Sequence, residues 1–109
     1  MEQLCHQEGL TVRGHIVTKY HHARPNVLKS ITVTEAAHPV PDKNCVEGTR
    51  KILSVLRKTG QRDLVVVLIS GGGSALLCAP VPSVSLQDLV STTSALLACG
   101  ATITEVNAV

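Results

Sequence analysis

"DLVVVLISGGGSALL", Asp63 to Leu77, joins an unbroken apolar run to three consecutive glycines. The run from Leu64 to Ile69 does not alternate, so both of its faces are apolar, as in a central parallel strand covered by helices on either side. It is far too short to cross a bilayer. In an open α/β sheet, ligands bind beyond the carboxyl ends of the strands, which is where Gly71, Gly72 and Gly73 fall. Glycines there can bring successive backbone N–H groups up to an anion, and a helix opening near Ser74 adds the positive end of its dipole. Ser70 and Ser74 offer hydroxyl donors on either side. The plainer alternative is a tight strand-to-helix turn with no ligand.

Familiar glycine loops do not match. A Walker A loop needs Lys and then Ser or Thr after its last glycine, and here Ser74 and Ala75 follow. The dinucleotide fingerprint needs glycine at the position of Leu76. A nucleophile elbow centred on Ser74 needs it there too.

Downstream of the loop, Ser74 to Cys78 suits a short helix ended by Pro80 and Pro82. Ser85 with Asp88 opens another helix, carried by Leu86, Leu89, Val90, Leu96 and Leu97 and closed by Gly100. The remaining "ATITEVNAV" is apolar. Upstream, Asn44 with Glu47 resembles a capping box, followed by Val46, Ile52, Leu53 and Leu56 at helical spacing as far as Lys58. Arg57 and Lys58 are expected in its last turn and Gly60 as its stop. Gly48 inside that helix costs about 1 kcal/mol relative to alanine. Asp42 is placed to cap the helix or to approach a metal-bound phosphate.

"HPVPDKN" is held extended by its prolines. "GHIVTKY" (Gly14 to Tyr20) and "SITVTEA" (Ser30 to Ala36) read as strands. The link from His21 to Lys29 is short for a right-handed crossover, which leaves their relative direction open. Met1 to Gln7 reads as the last turns of a helix stopped by Gly9. The sum is an α/β fold, an open and mainly parallel sheet with helices on both faces. Three strands with bare edges make it an incomplete one.

Composition narrows the partners. The chain has 109 residues, net charge +2 and a single aromatic, Tyr20. With neither a concentrated basic face nor aromatic platforms, no nucleic-acid partner is expected. Cys5, Cys45, Cys78 and Cys99 stand far apart, as reduced and mostly buried thiols of a cytoplasmic protein do. No secretory signal is visible at the start. Lys19, at the end of the first strand, can offer a positive charge at the ligand edge or simply lie in solvent. His38, between Ala37 and Pro39, follows a strand and faces a rigid loop. It is either a ligand contact or a structural turn. The adjacent His21 and His22 project differently, so a metal site using both is not assigned, nor is any other metal ligand.

"GHIVTKYHHA", "ITVTEAAHPVPD", "DLVVVLISGGGSALLCAP" and "LLACGATITEVNAV", in this order and spacing, resemble the glycerate 2-kinases that carry a MOFRL domain. The resemblance runs from about Gly14 to Val109, and the pairing of HPVPD with ISGGGSALL is specific. It implies that residues 1–109 are a partial N-terminal, Rossmann-like domain, with the MOFRL domain lying outside them. It also implies transfer of the ATP γ-phosphoryl to the 2-hydroxyl of D-glycerate, assisted by Mg. Ser70, Gly71, Gly72, Gly73, Ser74, Lys19, His38 and Asn107 are the implied substrate- or phosphate-binding residues. No catalytic residue is assigned. The carboxylate of glycerate and the phosphates of ATP are both anions that the loop could hold.

The chain departs from the family pattern at two loops. His21 stands where KYGH has glycine, and Ala37 where EAGHPVPD has glycine. The family's upstream Gly-Lys-Ala segment, the Arg-Lys pair beyond Asn107 and the second domain are not among these residues, so little or no turnover is expected from this polypeptide alone. A non-catalytic anion-binding module is the alternative, as a soluble monomer or dimer. A hydroxypyruvate reductase is a weaker one, lacking its dinucleotide fingerprint. Oligomerisation is left open.

Overall fold

The computed structural model describes residues 2–24 and 28–109. Met1 and residues 25–27 of the link between the two strands lie outside the described residues. The chain runs α1 (Glu2–Gln7), β1 (Gly14–Lys19), β2 (Ile31–Ala36), α2 (Lys43–Leu56), α3 (Gly73–Leu76), α4 (Leu86–Ala98) and α5 (Ile103–Val106).

β1 and β2 pair directly and in parallel, with Gly14 opposite Ile31 and Lys19 opposite Ala36. The direction left open by the short link is thereby fixed. α1 is tied to the start of β2, because the Glu2 carboxylate accepts the N–H groups of Lys29 and Ser30. Those donations, that of Ser30 foremost, hold Glu2 below the usual carboxylate range.

α2 lies across one face of the pair, and the close approach depends on Gly48. A β-carbon at that position would stand 2.6 Å from a Val17 methyl and 3.3 Å from Thr34 Cβ. The glycine that weakens the helix by its propensity thus lets it sit on β1. On the same face His15 bridges Thr32 and Thr34 through its two ring nitrogens, at 2.7 and 2.9 Å. Burial, and then the Lys51 charge, push its pKa down. Ala36, Cys45 and Cys78 form the buried centre, with Val17, Val46, Leu76 and Leu89 packed around it. Burial raises the Cys45 thiol to about 11. Cys99 is exposed and Cys5 half-buried, so only two of the four thiols are buried as expected.

The capping reading of Asp42 is borne out, and the Asn44–Glu47 box is not. Asp42, rather than Asn44, is the N-cap; its carboxylate accepts the N–H of Asn44 and Cys45, and the Asp42 N–H donates back to Cys45 Sγ. Asn44 is released for another task described below. α2 ends at Leu56, so Arg57 and Lys58 follow it instead of occupying its last turn. α4 and its Ser85–Asp88 capping box form as read, and Gly100 ends the helix at φ +76. α5 forms at the apolar end under a Thr102–Glu105 box.

The larger correction concerns Asp63 to Ser70. This segment makes no strand ladder among the described residues, and Leu64, Leu68 and Ile69 are 89%, 77% and 75% exposed. A strand that is apolar on both faces is stabilised by partner strands and by layers above and below, and β1 and β2 here pair with each other. The second face of that pair is also open, with the register partners Ile16 and Val33 both exposed. The fold is therefore α/β with parallel pairing and one covered face. Among the described residues no helix is long and apolar enough to cross a membrane.

Candidate functional site

Both strands end at the same edge, and the segments that leave them build one cleft of about 260 Å³. Thr18, Lys19 and His22 come from the end of β1, His38 from the turn after β2, and Ser70, Gly71 and Gly72 from the glycine loop, over a floor of Val17 and Leu76. Parallel pairing is what brings the two strand ends together. The glycine loop reaches the same place because α3 packs on β1 and α2. Five residues selected from sequence, Lys19, His38, Ser70, Gly71 and Gly72, thus share a single cleft. Gly73 and Ser74 lie in α3, just behind it. Asn107 is the C-cap of α5, where its N–H donates to Ile103, and it does not line the cleft.

Gly72 is required twice over. Its φ is +89, the left-handed region, and a β-carbon there would stand 2.8 Å from His38 Nε2. The loop backbone and the imidazole are therefore in direct apposition. Among the described residues no protein group accepts the N–H of Gly71 or Gly72, whereas the Gly73 N–H turns back to Ser70. Two backbone donors are left beside an imidazole and a lysine. Such a set suits a carboxylate or phosphate oxygen.

A polar strap fixes the loop that carries His22. Asn44 donates to both Tyr20 Oη and the Glu35 carbonyl, each at 3.0 Å, and joins the two strand ends. Tyr20 Oη donates to Asp42 at 2.6 Å. Burial pulls the Asp42 carboxyl upward, but the bonds from Tyr20 and from the Cys45 N–H outweigh it and hold it low. Glu35 accepts the N–H groups of His22 and Ala23, both at 2.9 Å, and stays below the usual range because of them, Ala23 foremost. His21, standing where the resembling family has glycine, takes φ +64. That conformation costs a side-chain-bearing residue on the order of 1 kcal/mol.

His22 was missed from sequence as a cleft residue. Adjacent histidines were expected to diverge, and they do; the left-handed turn at His21 sends the chain back so that His22 faces the loop. The glycine that the resembling family pattern has at the position of His21 is the signal that could have found it, since glycine favours the left-handed turn. A broader groove of about 390 Å³ lies elsewhere, between Lys43, Val46, Arg50 and Leu86, and holds none of the residues selected from sequence.

The chain is similar to known proteins over most of its length. The family model described as "Domain of unknown function (DUF4147)" matches residues 1–109. A protein named putative hydroxypyruvate reductase from Agrobacterium vitis is 49% identical over 88% of this chain and 24% of its own length. A glycerate 2-kinase from Pyrococcus horikoshii is 47% identical over 88% of this chain and 21% of its own. The crystal structure of a Thermotoga maritima glycerate kinase superposes with a TM-score of 0.72 at 42% identity, covering 87% of this chain and 23% of that one. A crystallised P. horikoshii protein reaches 0.76 at 45% identity, covering 90% of this chain and 22% of that one. The chain spans about a quarter of the length of the relatives it matches. By sequence and by fold, then, it belongs to the DUF4147 family, in company with proteins that bear the name glycerate kinase.

Proposed function

We propose that this chain supplies one wall of a glycerate 2-kinase site, in which the glycine loop holds an anionic end of D-glycerate or of ATP. The observation that carries this reading is the meeting of the unpaired Gly71 and Gly72 N–H groups with Lys19, His38 and Ser70 in one cleft. Phosphoryl transfer to an alcohol is chiefly a matter of positioning anions and neutralising developing charge, and fixed backbone donors serve that end without reorganising. The relatives named glycerate 2-kinase give the reading its substrate. On this reading residues 1–109 form part of an N-terminal domain. The opposite wall comes from segments that the relatives carry beyond the matched quarter, where the resemblance implies a MOFRL domain, and the reaction is cytoplasmic.

Of the implied cofactors, ATP fits the donor set through its phosphate oxygens. Mg fits less well. Among the described residues no three His, Cys, Asp or Glu side chains gather as a metal site, so no step is derived through the metal. Oxidoreductase chemistry is not adopted, because Leu76 stands where the dinucleotide fingerprint needs glycine.

The test is titration of the chain with inorganic phosphate, glycerate and ADP, followed by amide NMR. Shifts at Gly71, Gly72 and Lys19 that vanish in Gly72→Val are expected, with no turnover. Binding that survives Gly72→Val would remove the loop from the site. Glycerate-dependent ADP formation by the isolated chain, lost in that variant, would show that the one wall suffices for catalysis.

A further inference from the structure

His22 lines the cleft, and two bonds fix how it does so. Its N–H donates to Glu35 at 2.9 Å, anchoring the backbone. Its ring Nδ1 lies 2.9 Å from the Tyr20 carbonyl oxygen, which can only accept, so Nδ1 carries the proton. In the neutral ring Nε2 is then left as the free polar atom, with a lone pair and no hydrogen. Of the other polar groups of the cleft, Lys19 and the Gly71 and Gly72 N–H groups are donors suited to an anion, whereas the Thr18 and Ser70 hydroxyls and the His38 ring can donate or accept. A ligand that only accepts would leave Nε2 without a partner. A ligand that also carries a hydroxyl would satisfy it.

Resting on the anion-binding reading above, we infer that His22 is a specificity-determining residue, whose Nε2 accepts the 2-hydroxyl proton of a 2-hydroxycarboxylate held by the glycine loop. The residue discriminates by hydrogen-bond polarity. A carboxylate without a hydroxyl in the right place forfeits one bond, and an amine cation meets the Lys19 charge. The strap of Tyr20, Asp42, Asn44 and Glu35 holds the backbone from which the exposed ring projects, and the Nδ1 bond to the Tyr20 carbonyl orients the ring against it.

The experiment uses the 109-residue chain with two probes, glycerate and 3-hydroxypropionate, which lacks the 2-hydroxyl. One net hydrogen bond corresponds to a preference of about three- to tenfold for glycerate. His22→Ala is expected to abolish that preference while leaving the affinity for 3-hydroxypropionate unchanged. A preference that persists in His22→Ala overturns the inference. Equal binding of both probes by the unsubstituted chain overturns it as well, yet leaves the anion-binding reading standing. Binding of neither overturns both. As a second measurement independent of any substitution, histidine ring 15N shifts of the unsubstituted chain should report the Nδ1–H tautomer for neutral His22. The Nε2–H tautomer would refute the assignment.

Discussion

Replacing Gly48 by alanine sets two effects against each other, and the structure says which prevails. In a helix interior alanine is better than glycine by about 0.8–1 kcal/mol. The new methyl would stand 2.6 Å from a Val17 γ-carbon and 3.3 Å from Thr34 Cβ. Both neighbours are β-branched, so neither turns aside cheaply. Overpacking of this kind costs about 1–3 kcal/mol. The net expectation is destabilisation by roughly 1 kcal/mol, up to about 2, against the sign that helix propensity alone gives. Val17→Ala removes the obstructing methyls. In that background Gly48→Ala should become stabilising by the propensity difference, which puts the coupling in the double-mutant cycle at about 2 kcal/mol. Urea unfolding followed by far-UV circular dichroism measures all four corners. If Gly48→Ala stabilises equally with and without Val17, α2 does not approach β1 as described and the reasoning fails.

Two further outcomes are expected. His21→Gly should stabilise the chain by up to about 1 kcal/mol, the relief of a left-handed side-chain residue being partly offset by the greater freedom of glycine when unfolded, and His21→Val should destabilise it by a similar amount or more; thermal unfolding of the three proteins tests the order. Glu2, Glu35, Asp88 and Glu105 are all held below the ordinary carboxylate range by hydrogen bonds. Their native forms bind protons less readily than the unfolded chain, so their contribution is complete above the ordinary pKa of about 4 and is lost as pH falls through the depressed native values. The urea midpoint should thus hold between about pH 7 and 5 and decline below about 4, less steeply in Glu35→Gln; a midpoint unchanged down to about pH 3 would contradict it.

Local chemistry was the legible part of the sequence. Ser85 with Asp88 needed only each other to cap α4, and Gly100 only its own backbone, so both could be read without knowing the surroundings. Asn44 misled because its side chain is taken up by Tyr20 and Glu35, partners distant in sequence, which leaves the cap to Asp42. The site was legible as residue types, since lysine at a strand end, histidine after a strand and glycines after an apolar run each point to one edge. Their meeting depends on β1 and β2 running parallel, which the length of the link did not disclose. Leu64 to Ile69 shows the opposite case. Its pattern states what surroundings the segment requires, whereas pairing and cover depend on other elements, and among the described residues those do not come to it.

The parallel pair under α2 also bears on the order of events during synthesis. Gly14 to Lys19 meets Ile31 to Ala36 over a short separation in sequence, and the helix that covers them is finished at Leu56. All of these contacts lie within the first 56 residues, so none of them waits on later segments. A nascent chain is expected to complete this strand–strand–helix nucleus while Leu64 to Ile69 is still inside the ribosomal exit tunnel. The most apolar stretch would then emerge beside a settled surface and could not compete for the first collapse. Ribosome-stalled chains ending shortly after Leu56 clears the tunnel should already resist protease within Gly14–Lys19, Ile31–Ala36 and Lys43–Leu56.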